Sequence, residues 1–204
     1  MEFVVTTTAL ARPNIVRRTF SSFTRRMPDL RGAKLFINID PIPNESLQQE
    51  TLEAAREFFP DLEARIPSTP NFTAAINWLW SKADTPFIFH LEDDWIIGRV
   101  VRFTSLEKHL VPGVMQVNLR AYRYRYNKMV LSPSLIKKEC YKGFAGKLNT
   151  KVNPEVQLRN ADLFDFRPEM ISTYGRGVVV RDIGRDWLDR QKLIKPIKSN
   201  FVRY

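Results

Sequence analysis

Three consecutive acids, Glu92-Asp93-Asp94, follow the apolar run Pro86-Phe87-Ile88-Phe89-His90-Leu91. Adjacent carboxylates repel one another, so such a cluster calls for a cation or a set of donors beside it. Hard divalent cations such as Mg2+ or Mn2+ take carboxylate oxygens and commonly bridge one or two of them to substrate phosphates. The metal then offsets negative charge that develops on a phosphate leaving group. A solvated acidic turn is the plainer alternative; the apolar run before the acids and Trp95 after them favour the metal. Arg12, before Pro13, is a candidate diphosphate contact because a guanidinium matches phosphate bidentately. Arg181 and Arg185, which flank Asp182, are two more.

A second constellation interleaves bases and rings: Arg120-Ala121-Tyr122-Arg123-Tyr124-Arg125-Tyr126. On a strand, Tyr122, Tyr124 and Tyr126 would share one face, with Arg123 and Arg125 on the other. Such a pattern suits phosphate contact combined with stacking on bases or sugars. Half-buried strands of ordinary proteins also carry Tyr and Arg. His90 lies inside an apolar run and reads as a core histidine. Trp78 and Trp80 cannot share a helix face, so at least one is not simple core. Cys140 reads as packed within a helix.

The elements that must position these residues follow from hydrophobic patterning. Phe3 to Thr8 reads as a strand, with a turn from Ala9 to Pro13 and a helix capped by Asn14 running to Met27. Leu35 to Ile39 is a second strand, closed by Asp40-Pro41. Ser46 to Phe59 is helical, Ala64 to Pro67 a short strand, Pro70 to Lys82 a helix, and Pro86 to Leu91 the fourth strand. Strand–helix alternation predicts an α/β fold: a mostly parallel sheet with helices on both faces. Ligands of such sheets sit at the carboxyl ends of the strands. Those ends are Thr6 to Arg12, Asp40, the Ser68–Asn71 turn and Glu92–Asp94. Beyond residue 100, Val114 to Ala121 reads as a strand, Ser134 to Leu148 as a helix, Asn153 to Asn160 as a short helix, and Gly177 to Val180 as a strand. Tyr174 to Gly177 has loop composition.

The 204 residues fit a single domain, with 44% hydrophobic and 26% charged residues, which excludes wholesale disorder. Charge is uneven. Residues 1–100 hold 11 Lys+Arg against 13 Asp+Glu, a net of −2; residues 101–204 hold 21 against 9, a net of +12. A basic half suggests a polyanionic partner, or only a solvated surface. The single cysteine excludes an intrachain disulfide framework and a cysteine-rich zinc site, and fits a cytoplasmic location. No stretch reaches the roughly 20 apolar residues of a membrane span, and Met1 to Val5 does not read as a signal peptide.

The stretch Phe87–Trp95 resembles the strand and D-x-D motif of GT-A glycosyltransferases. Val4 to Pro13 is similar to that family's opening strand and the Arg-Pro that starts its first helix. Asn71-Phe72-Thr73-Ala74-Ala75-Ile76-Asn77 resembles the helix before the D-x-D strand, with its Ala-x-Asn element. The likeness covers residues 3–95 and is that of a small, family-2-like member, a phage-type DNA-base glycosyltransferase being one such reading. It implies a GT-A fold and a nucleotide-diphosphate sugar as donor, a UDP-sugar foremost, with Mn2+ or Mg2+. It implies donor contacts from Thr6, Thr7, Thr8, Arg12, Asp40, Asn71, Asn77, Glu92 and Asp93, with Asp40 on the nucleotide base. Asp94 maps to the acid that usually holds the metal, with Asp93 beside it. The motif departs from the family in its first acid, Glu92. No late histidine stands where many members have a metal ligand, and Asp182 is the substitute candidate. Glu155 sits where some inverting members place the general base, with Asp162 and Asp165 as rivals.

The expectation is therefore a glycosyltransferase. Residues 1–100 would hold donor and metal; residues 101–204, with Arg120, Tyr122, Arg123, Tyr124, Arg125 and Tyr126, would hold the acceptor. A hydroxymethylated base in DNA is the leading acceptor. A lipid carrier or a cell-envelope glycan is the rival. A nucleotidyltransferase would use the same acids, but the chain lacks a Gly-rich loop after the first strand. A non-catalytic nucleic-acid-binding module would leave the acids idle.

Overall fold

The computed structural model describes residues 1–42, 46–120, 129–159, 170–173, 179–184 and 187. Phe3–Leu10 (β1) is rich in β-branched residues and lies buried between two parallel neighbours, Leu35–Asp40 (β2) and Phe87–Glu92 (β4). Leu62–Arg65 (β3) extends the sheet beyond β2. On the other side β4 pairs antiparallel with Ser134–Lys137 (β7), and β7 pairs with Val114–Asn118 (β6), which is followed by Met170–Thr173 (β8). The order is β3-β2-β1-β4-β7-β6-β8, and among these seven strands β7 alone runs against the rest. A separate antiparallel ribbon joins Trp95–Ile97 (β5) to Val180–Asp182 (β9).

Both faces are covered, as continuous apolar runs along the strands require. Val5, Ala9, Leu35, Ile37, Ile39, Phe89 and Leu91 face Pro13–Arg26 (α1), Gln48–Arg56 (α2) and Phe103–Glu107 (α4). Val4, Phe36, Ile88 and Ile136 face Phe72–Lys82 (α3), Lys138–Phe144 (α5) and Pro154–Arg159 (α6). Phe20, Phe23, Phe59 and Phe89 are fully buried, each contributing about 1.5–3 kcal/mol of transfer free energy. The predicted α/β class and two-sided helical cover are therefore present. No described helix is long and apolar enough to cross a membrane.

Several boundaries differ from the sequence expectation. β1 continues to Leu10, so Thr6 and Thr7 lie inside the sheet rather than at its edge. α1 begins at Pro13 with Arg12 before it, not after an Asn14 cap. The segment expected as one helix from Ser134 divides into β7 and α5. Pairing with the open side of β4 decides Ser134–Lys137, overriding local propensity. Gly146, at φ 73°, follows the end of α5 in the left-handed conformation that closes helices. Trp80 is fully buried, whereas Trp78 is half-buried and meets Phe36 edge-on. Cys140 is buried in α5, and burial pushes its thiol up to about 12, which leaves it inert.

Candidate active site at the carboxyl edge of the sheet

Four parallel strands bring their carboxyl ends together: Leu10, Asp40, Arg65 and Glu92. Backbone and side-chain bonds stitch this edge. Ala11 N donates to Asp40 O at 2.9 Å, and Asp93 N donates to Thr8 O at 3.1 Å. Gln48 Nε2 reaches both Ile39 O (2.8 Å) and Pro67 O (3.0 Å).

The acids that follow β4 have three different environments. Glu92 accepts from Trp95 Nε1 at 2.9 Å. Asp93 points into the protein and is buried. It takes Arg12 Nη2 on Oδ1 at 2.6 Å, with Arg12 Nε (3.2 Å) and Leu10 N (3.1 Å) on Oδ2. Its carbonyl accepts from Thr19 Oγ1 at 2.5 Å, which anchors the turn on α1. Asp94 is more exposed, with 18% of its side chain accessible, and Arg12 Nη2 lies 3.2 Å from its Oδ2. Burial pushes the Asp93 carboxyl up, to about 6; Arg12 pulls it back, and Asp94 adds to the rise. Burial also opposes the Arg12 charge, but Asp93 and Asp94 outweigh it and hold that pKa above the ordinary arginine value. Arg12 is thus committed to carboxylates, and the Trp187 ring lies 5.0 Å from its guanidinium carbon.

The β5–β9 ribbon carries a distant acid to this edge. Trp95 pairs with Asp182, 87 positions later in the chain, and Ile183 N donates to Asp94 O at 2.7 Å. Asp182 Oδ1 accepts from Gly184 N at 2.8 Å, closing a tight turn against Asp94. A parallel sheet with one reversed strand, and a late ribbon that returns to the acids after the fourth strand, is the arrangement of a known fold. Residues 1–349 of S. aureus TarS superpose with a TM-score of 0.59 at 12% identity, covering 93% of this chain and 63% of that one. The mannosyltransferase PcManGT from Pyrobaculum calidifontis, in complex with GDP-Man and Mn2+, gives 0.60 at 14%, covering 86% and 55%. The fold is GT-A. A TarS structure in complex with UDP-GlcNAc matches equally well, at 0.59. The chain spans less than two thirds of the length of each of these structures. No protein-family model and no curated protein sequence matches it.

Within the GT-A sheet the remaining predicted residues fall into clear places. Asp40 ends β2 at the crevice side, buried, with Asn38 Nδ2 on Oδ1 at 2.8 Å and Asn71 N on Oδ2 at 3.2 Å. Burial raises its pKa, against the pull of Asn38, Asn71 and Arg65. Asn71 caps α3 by accepting Ala74 N at 2.9 Å and donates to Thr150 O at 3.2 Å. Asn77 is spent on the backbone of Leu148, donating to its carbonyl (2.8 Å) and accepting its N–H (3.2 Å). Thr6 Oγ1 and His90 Nδ1 share a 3.0 Å hydrogen bond beneath the edge, and Thr7 is fully buried. Glu155 lies on the first turn of α6, in the α3 layer, where Arg159 approaches it at 3.5 Å. Arg120 is exposed and sits 5.4 Å over the Trp95 ring. Tyr122, Arg123, Tyr124, Arg125, Tyr126, Asp162, Asp165, Arg185 and the Tyr174–Gly177 segment lie outside the described residues. The sequence reading missed Thr19, Trp187 and Gly184. Trp187 had a signal, an aromatic just after Asp182 in a polar stretch; Thr19 and Gly184 had none.

Among the described residues no group of three or more His, Cys, Asp or Glu side chains converges as a cage. The backbone of the β5–β9 ribbon brings Asp182 to the side of Asp94, and Mg2+ and Mn2+ are commonly held by one or two carboxylates when substrate phosphates complete the shell.

Proposed function

We propose that this chain is a nucleotide-sugar glycosyltransferase in which Asp94 and Asp182 hold a divalent cation. The observation that carries the reading is the Trp95–Asp182 pairing together with the Ile183–Asp94 bond, by which a late acid returns to the exposed acid of the motif on a GT-A sheet. The solved neighbours bound to GDP-Man with Mn2+ and to UDP-GlcNAc support a nucleotide-sugar donor and a metal here. Bound between donor and chain, the cation would supply charge that stabilises the departing diphosphate.

The chain's own groups then have distinct tasks. Asp93 and Arg12 form a buried strut that fixes the turn from which Asp94 projects. Asp40, with Asn71 N, borders the place for the nucleotide base at the end of β2. Glu155, on the first turn of α6, is the candidate base for the acceptor hydroxyl. Residues 101–204 would hold the acceptor. Their net charge supports a polyanion, with a hydroxymethylated base in DNA as the acceptor proposed.

The test is nucleoside-diphosphate release from UDP-GlcNAc, UDP-glucose and GDP-mannose, with Mn2+ and with EDTA. Asp94→Asn should lower release more than about 100-fold while the unfolding temperature stays near wild type, because an amide is a poor ligand for a hard cation. Release that survives EDTA undiminished refutes the metal, and no release from any sugar nucleotide refutes the enzyme.

A further inference from the structure

Gly184 sits where a side chain cannot. A Cβ built on it would overlap Asp94 Oδ2, lying 2.7 Å from Asp94 Cγ and 3.0 Å from Asp94 Cβ. Real Cβ atoms essentially never approach others under 3.0 Å, so any residue but glycine must displace something. What would move is decided by the bonds around it. The backbone of Asp94 is fixed: its carbonyl takes Ile183 N at 2.7 Å, and the adjoining Trp95 is paired with Asp182. The backbone of Gly184 is fixed too, because its N–H donates to Asp182 Oδ1. The Asp94 carboxylate can turn about its own side-chain bonds, so it is the part that yields. On its other side lies Arg12 Nη2, at 3.2 Å.

We propose that Gly184 is a positioning residue that orients the Asp94 carboxylate. By lacking a side chain it lets the turn after β9 close directly on Asp94, confining the carboxylate between this turn and Arg12. The same turn carries Asp182, whose Oδ1 accepts the Gly184 N–H, so one bend of chain bears on both proposed metal ligands. A Cβ at position 184 would turn the Asp94 carboxylate away from that position. This inference rests on the metal reading above, but the contact it invokes does not.

Two measurements on the full chain separate the two. The first is a thermal-unfolding cycle over Gly184→Ala, Asp94→Ala and the pair. Gly184→Ala should lower the midpoint by a few degrees in the wild-type background and by clearly less when Asp94 is replaced by alanine, since Oδ2 and Cγ are gone and only the Cβ contact at 3.0 Å remains. Equal shifts in both backgrounds overturn the contact. The second counts free Mn2+ by its electron paramagnetic resonance signal, in separate titrations with UDP and with GDP. Gly184→Ala should bind Mn2+ at least about tenfold more weakly than wild type while its far-ultraviolet circular dichroism matches that of wild type. Wild-type uptake of Mn2+ with equal uptake by Gly184→Ala overturns the positioning role alone. No uptake by wild type overturns the metal reading, and the positioning role with it.

Discussion

His90 is a buried neutral imidazole, and its burial has a measurable consequence for pH. The ring has no accessible surface, packs edge-on to Trp80 at 6.4 Å and shares one hydrogen bond with Thr6. Its Nε2 has no hydrogen-bond partner among the described residues. Burial depresses its pKa to about 3, well below the 6.5 of an exposed histidine. The folded state therefore binds fewer protons than the unfolded chain between those values. Stability from this group is complete above pH 6.5 and is lost as pH falls toward 3, by at most about 1.4 kcal/mol per unit. Asp93 and Asp40 have raised pKa values and act with the opposite sign, so the comparison must be differential. Relative to His90→Gln, the wild type should lose about 2 kcal/mol between about pH 7 and pH 5 in urea unfolding. Parallel pH profiles for the two proteins would mean that His90 is solvated and the sheet looser than described.

At the scale of elements, the Arg12–Asp93 pair is a strut between the β1–α1 junction and the turn after β4. The two side chains are only 4% and 5% exposed, and Leu10 N and Thr19 Oγ1 complete the anchoring. Removing one partner leaves the other charged and dry, a loss of about 3–5 kcal/mol. Arg12→Met should destabilise by that amount in denaturant unfolding, and Arg12→Met with Asp93→Leu should recover most of it. A loss below about 1 kcal/mol for the single variant would show the pair to be solvated. Arg12 also shows what the sequence made legible and what it did not. That Arg12 and the acids belong to one edge was readable from strand order, because the apolar runs before them are buried and unalternated. Which partner Arg12 would choose was not. A guanidinium suits phosphate and carboxylate equally, and only the fold reveals that Asp93 points inward. β7 was hidden for a related reason: four residues running straight into a helix carry no period of their own, and their state is set by the open side of β4. β5 was hidden, and β9 was read only as far as Val180, because three-residue strands exist only as a pair, across 82 intervening residues.

For the whole molecule, the charge division raises the question of what the basic half faces. The GT-A sheet sets Glu92, Asp93 and Asp94 at one edge, while residues 101–204 carry a net of +12. A neutral glycan acceptor gains nothing from such a field, whereas a polyanion gains counterion release with every phosphate neutralised. Arg120 is exposed over the Trp95 ring, whose indole donates to Glu92, so the Arg/Tyr run starts beside the proposed donor site. A DNA acceptor would use that run for phosphate contact and stacking, and a base held in a duplex would have to be extruded to meet the sugar, at a cost of a few kcal/mol. The expected result is binding of duplex or single-stranded DNA in a gel shift, with log affinity falling linearly in log salt. Arg120→Ala with Arg123→Ala and Arg125→Ala should flatten that slope by up to about 0.9 for each phosphate that is no longer neutralised. Salt dependence alone does not identify the acceptor, since binding to an anionic membrane surface also weakens with ionic strength. Flotation with phosphatidylserine vesicles supplies the contrast. Vesicle binding without DNA binding refutes the nucleic-acid acceptor and favours a phosphate-bearing lipid carrier. DNA binding unchanged by the triple substitution removes the Arg/Tyr run from the acceptor site and moves the search to the other bases of residues 101–204.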